Sequence, residues 1–287
     1  MRYSIDWRSH ATSVLLVLMG GIALLASNTS SIGSEVAPGR IRVEYVAPHN
    51  PEHEALFDSL RERRVLERLQ RLYSPFRLPS VLTIQIAGCD GIVNAYYGRG
   101  RVVVCYELIN LISQPIPEGI TWAGITQEDA AVGQFLFMAG HEVGHALFDI
   151  LKIPVIGNEE DAADQFATYV MLRMGSDEAR RLISGAAYYF RRYLQNENVT
   201  LKLRAFSGEH SQPQERFYNL ACMAYGADQK IFAELVEKEF LPERRSKRCP
   251  RDYVKVSNSL QALFKPHIDA DIAKNVLDDT WLRFPPQ

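Results

Sequence analysis

The feature that most constrains this chain is His141-Glu142-Val143-Gly144-His145. It sits inside an apolar stretch, with Phe135-Leu136-Phe137-Met138-Ala139 before it and Ala146-Leu147-Phe148 after it. Histidines at i and i+4 of a helix stand one turn apart on one face, so both imidazoles can reach a single metal ion. Glu142 is offset by about 100° and can address a water at that ion without ligating it. A pair of core histidines satisfied by hydrogen bonds is the plainer alternative. It would leave Glu142 buried beside them without a partner, which is costly, so the metal reading is favoured.

A zinc site of this kind takes a third protein ligand and leaves the fourth position to water. One arrangement supplies a third His in H-E-x-x-H-x-x-G-x-x-H, but Phe148 and Leu151 stand at the Gly and His positions and exclude it. The other draws a Glu from a following helix, and Glu159-Glu160-Asp161-Ala162-Ala163-Asp164-Gln165-Phe166-Ala167 offers one. Glu160 and Asp164 share a face, and Ala163 and Ala167 are small enough to let that helix approach the first closely. Glu160 is the expected ligand, with Asp164 expected on the outer ring nitrogen of a ligating His.

Around this pair of helices the pattern predicts an α+β fold: a small mixed sheet with one helix, then a mainly helical half. Ile41–Val46, Val81–Ile86 and Arg101–Cys105 read as strands. Asn50-Pro51-Glu52 opens a helix expected to run to Tyr73, with Leu56, Leu60, Leu66, Leu69 and Leu72 on one face. Turns at Cys89-Asp90-Gly91 and Gly98-Arg99-Gly100 flank Asn94–Tyr97. Thr126 and Asp129 form a capping box for a helix reaching about Ile150, and Asn158 caps the next. Further helices are expected over 176–196, 213–225, 227–239 and 250–265. The basic run from Arg244 to Arg251 reads as a solvated loop between helices.

At the N-terminus, Arg2 and Arg8 precede an apolar run, Val14–Ala26, and then small polar residues. This reads as a secretory signal peptide over 1–30, the rival being a membrane anchor at 14–26. The protein is then expected to be exported, periplasmic or secreted. Its single domain would occupy 40–287, with an α/β part at 40–120 and a helical part at 121–287. The 32 Lys+Arg and 34 Asp+Glu leave a net charge of −2, which argues against a dedicated nucleic-acid binder.

The zinc motif followed by Glu160-x-x-Ala163-Asp164-x-x-Ala167 resembles the gluzincin metallopeptidases, whose third ligand is the Glu of an E-x-x-x-D helix. Cys89, Asn94–Tyr97, Cys105–Leu108, Glu159–Gln165, Arg216–Asn219 and Cys222 resemble, more closely, a family of bacterial metallopeptidases of unassigned substrate. The likeness spans about 40–265 and implies a zincin-like fold, a Zn²⁺ ion and hydrolysis of a peptide or protein substrate. One departure is the connection from His145 to Glu160, shorter than in most gluzincins, which keeps Glu159 and Asp161 as lesser ligand candidates. The family mechanism gives Glu142 the role of general base. His210 is the first candidate to hold the oxyanion, with Tyr218 and Arg216 behind it. Tyr96 and Tyr97 are candidates to line a cleft along an edge strand. A non-enzymatic, partner-binding protein on the same scaffold is the competing class.

None of the four cysteines forms a C-x-x-C pair, and in an oxidising compartment their even number favours two disulfides. Cys89–Cys105 and Cys222–Cys249 are the expected pairs. The first two adjoin strand candidates across a short connection, and the others lie in the helical half.

Overall fold

Alternation of Ile41, Val43 and Tyr45 with Arg42 and Glu44 makes β1 (Ile41–Tyr45) a half-buried strand. β2 (Leu82–Ala87) is buried on both faces, with Leu82, Ile84 and Ile86 fully enclosed. β3 (Ala95–Gly98) and β4 (Arg101–Cys105) complete a sheet of order β1-β2-β4-β3. The first three neighbours run parallel, and β3 pairs antiparallel with β4. The segment flanked by turns in the sequence is therefore an edge strand. The computed structural model describes residues 40–115, 124–194 and 208–276, all within one compact unit, Val36–Gln287. The signal segment and most of the 115–125 boundary lie outside the described residues. Among those residues no helix is long and apolar enough to cross a membrane.

The helix expected to run from Pro51 to Tyr73 is broken. A 3₁₀ turn at Pro51–His53 leads into α1 (Glu54–Glu62), and α2 (Val65–Tyr73) restarts after Arg64, which is left-handed at φ 51°. In a straight helix Leu66 would stand about 120° around the axis from the face of Leu60. The break resets the phase, so that both residues are buried. The Tyr45 hydroxyl accepts from the Leu66 N–H (2.8 Å) and donates to Glu67 (2.8 Å), fixing the restart.

β4 runs directly into α3 (Tyr106–Ile112), a short helix that the sequence pattern did not signal. The Glu107 carboxylate accepts from the N–H groups of Cys89 (3.1 Å) and Gly91 (2.9 Å). Burial opposes its ionisation, but these bonds outweigh it and hold its pKa below the usual range. The Cys89–Cys105 disulfide ties the same loop to the end of β4.

α4 (Gln127–Ile150) starts at the Thr126–Asp129 capping box and is almost wholly buried. Its neighbours are the β3–β4 edge of the sheet, α5 (Glu159–Met171) and α6 (Ser176–Leu194). Around them lie α7 (Pro213–Ala227), α8 (Glu234–Glu237), α9 (Glu243–Ser246), α10 (Cys249–Phe264) and α11 (Ala270–Val276). The Cys222–Cys249 disulfide joins α7 to α10.

Two expectations fail here for local reasons. Only Glu234–Glu237 of the expected 227–239 helix forms, because the Asp228 side chain accepts from the N–H groups of Lys230 and Ile231 and bends the chain into a turn. The basic run from Arg244 is not a loop. It makes α9 and the first turn of α10, joined by a turn at Lys247-Arg248, where Lys247 pairs with Glu243 and Arg248 with Asp252.

Candidate metal centre

The site forms where α4 and α5 cross. Asn158 caps α5, its side chain accepting from the Glu160 N–H at 2.9 Å, and this sets the helix to start with Glu159 and Glu160. Close approach needs small residues on both helices. Ala163 and Ala167 supply them on α5. On α4 a Cβ added to Gly140 would lie 3.2 Å from the Ala167 Cβ, and one added to Gly144 would lie 3.3 Å from the Ala163 Cα. The glycines are legible in the sequence as Gly140-x-x-x-Gly144, the first just before the motif and the second within it.

Three donor atoms converge at the crossing. His141 Nε2 and His145 Nε2 are 3.1 Å apart, and Glu160 Oε2 is 3.0 Å from the first and 3.5 Å from the second. The outer ring nitrogens are already engaged: His141 Nδ1 with Asp164 Oδ1 at 2.7 Å, and His145 Nδ1 with Glu159 Oε1 at 2.8 Å. When each Nδ1–H donates to its carboxylate, both Nε2 atoms present lone pairs. Two lone pairs and a carboxylate oxygen facing one another repel unless a cation lies between them. Ligand atoms about 2.0–2.1 Å from a tetrahedral ion stand about 3.3 Å from one another, which is the spacing found. The donor set therefore fits a small divalent ion.

The outer ring of contacts is more elaborate than the sequence suggested. Arg216, a candidate oxyanion donor, instead forks onto Asp164, Nε to Oδ2 and Nη2 to Oδ1, each at 2.7 Å. Its guanidinium lies over the rings of Phe190 (4.8 Å) and Phe137 (5.7 Å), partly buried and committed to that role. Asp161 is not at the donor cluster, since its carboxylate accepts from the Ser211 hydroxyl (2.7 Å). Asn158 Nδ2 donates to the Glu209 carbonyl (3.0 Å), so the first turn of α5 also anchors the segment that carries His210. His210 Nε2 lies 2.8 Å from Glu160 Oε2, and its ring stacks on His141 at 5.8 Å. Donor atoms of His141, Glu160 and His210 also lie within 4.8 Å of one another. Tyr218 packs edge-on against Phe217 at 5.4 Å.

Glu142 is buried beside this cluster. Burial raises its pKa, while the nearby histidines and the Tyr97 backbone N–H lower it. That N–H belongs to the edge strand β3, so the strand lies beside the Glu142 carboxyl group. Tyr97 also donates its hydroxyl to Asp149 near the end of α4 (2.7 Å), and Tyr96 is exposed on the strand's other face. The His141 hydrogen bond holds Glu160 down at about 2. Burial disfavours a charged His141, but its bonds to Asp164 and Glu160 outweigh this and lift it to about 9. Without a metal, a proton on His141 thus relieves the crowding of acceptors.

The chain belongs to the protein family described as "Putative metallopeptidase", which it matches over residues 45–264. No curated protein and no solved structure matches it.

Proposed function

We propose that this member of the metallopeptidase family is an exported, zinc-dependent peptide hydrolase of gluzincin type. His141, His145 and Glu160 would hold the ion, with Asp164 and Glu159 orienting the two imidazoles through their outer nitrogens. The observation that carries this reading is the mutual spacing of 3.0–3.5 Å among the three donor atoms. Zinc would supply a Lewis acid that makes a water acidic and polarises a peptide carbonyl.

The chain's own residues do the rest. Glu142, raised by burial, takes the proton of the attacking water and passes it to the leaving nitrogen. An extended peptide laid along β3 would pair with that edge strand by its main chain, which brings a backbone carbonyl past Glu142. His210, half exposed beside Glu160, would donate to the oxygen that gains charge. Two disulfides support a working place outside the cytoplasm.

Elemental analysis of the purified chain tests the ligand set. One zinc per chain is expected, lost in Glu160→Ala and retained in Glu159→Ala and His210→Ala. Loss in His210→Ala would make that residue a fourth protein ligand and close the site, which favours a structural metal on a partner-binding scaffold.

A further inference from the structure

Behind α5, on a face turned away from Glu160 and Asp164, the end of α2, α10 and α11 line a cavity of about 360 Å³ that opens to solvent. At roughly 30 Å³ for each water-sized group, it holds about a dozen heavy atoms. Its floor is apolar and buried: Leu72, Tyr73, Phe76, Phe166, Leu260 and Phe264. The aromatic rings among these pack on one another, Phe166 on Phe264 at 5.2 Å and Phe76 on Phe264 at 5.6 Å, so the floor is a rigid wall.

The charges of the lining have one sign. Arg173 and Lys265 line the cavity, both exposed, and among the described residues no carboxylate does. Arg173 lies over the Tyr169 ring at 5.7 Å, and neither cation has a carboxylate partner among the described residues. An apolar cavity bearing two uncompensated cations complements a molecule with an apolar tail and an anionic head. We propose that it binds a single-chain amphiphile with a carboxylate head and about ten carbons, whose tail lies on the aromatic floor and whose head meets Arg173 and Lys265.

The site is separate from the donor cluster but shares its supports. A Cβ on Gly140 would lie 3.0 Å from the Tyr73 hydroxyl, and one on Gly144 would lie 3.2 Å from the Phe166 ring. Gly140 precedes His141 and Gly144 precedes His145. A bound chain would therefore rest on the two rings that pack against α4 beside both histidines.

The probe is decanoate, titrated calorimetrically into the full chain below its micellar concentration, with decyltrimethylammonium as the same tail on a cationic head. Decanoate should bind at one per chain and at least tenfold more tightly than the cation. Arg173→Gln with Lys265→Gln, both on the surface, should weaken decanoate about tenfold and leave the melting temperature unchanged. Ala273→Trp, which fills the cavity, should abolish binding. No saturable decanoate binding to the full chain would overturn the proposal. So would equal binding of the two amphiphiles, or decanoate binding unchanged in the double Gln variant.

Discussion

Helix α4 meets α6 and α5 in two different ways, although glycines open both contacts. Toward α6 the contact is backbone against backbone. A Cβ on Gly133 would overlap the Leu182 carbonyl oxygen, and one on Gly185 would overlap the carbonyl of Asp129. Toward α5 the atoms that an added Cβ would meet include side chains, Ala167 at Gly140 and Phe166 at Gly144, each at 3.2 Å, with Tyr73 of α2 at 3.0 Å from Gly140. The first contact has no slack and carries no chemistry. The second has some slack, and it holds the histidines, three carboxylates and Arg216. One end of α4 is thus fixed rigidly while the other presents polar groups whose positions depend on hydrogen bonds rather than on steric fit.

The sharpest way to break this comparison is to add one methyl group at each contact. Gly185→Ala should yield little or no folded protein, since backbone overlap cannot be relieved by a rotamer change and costs beyond about 3 kcal/mol. Gly144→Ala should fold and keep its metal, with a loss within about 1.5 kcal/mol that is offset by about 1 kcal/mol of helix propensity. Thermal melts followed by circular dichroism check both. Equal damage from the two would mean that the contacts do not differ.

A smaller effect should come from the polar end. Asp164→Asn keeps the shape but weakens the link from Arg216 to His141 Nδ1. Zinc affinity, measured by competition with a chelator, should fall about 10–100-fold. A change under threefold would detach Arg216 and Asp164 from the metal centre.

The least drastic test is pH. With His141 raised from 6.5 to about 9, its charged bonds stabilise the metal-free protein fully below about 6.5, and that contribution is lost as pH rises through about 9. Zinc must displace that proton, so its affinity should climb by up to about tenfold per pH unit toward pH 9. An affinity flat between pH 6.5 and 8.5 would show that His141 carries no proton in the metal-free site.

Much of this was legible because it is local. Thr126 with Asp129, and Asn158 before Glu160, are caps that depend on residues two or three positions away, and they fix the starts of α4 and α5. The i, i+4 spacing then brings His141, His145 and Glu160 together once the two helices cross. The break at Arg64 was hidden because Leu56 to Leu72 look like one face until the phase slip between Leu60 and Leu66 is counted. The parts played by Arg216 and Glu159 were hidden for another reason. A guanidinium or carboxylate can serve several partners, and only the packing of Phe137 and Phe190 under Arg216, or the first turn of α5 against His145, selects one.

The central claim is that Glu142 serves a water and not the metal, and one substitution tests it. Glu142→Gln keeps the size and a hydrogen-bonding oxygen while removing the base. Zinc content and melting temperature should stay near wild type, while hydrolysis of a broad peptide library falls at least about 100-fold. Cleavage by Glu142→Gln at the wild-type rate, or no cleavage of the library by the wild-type chain, would contradict the account.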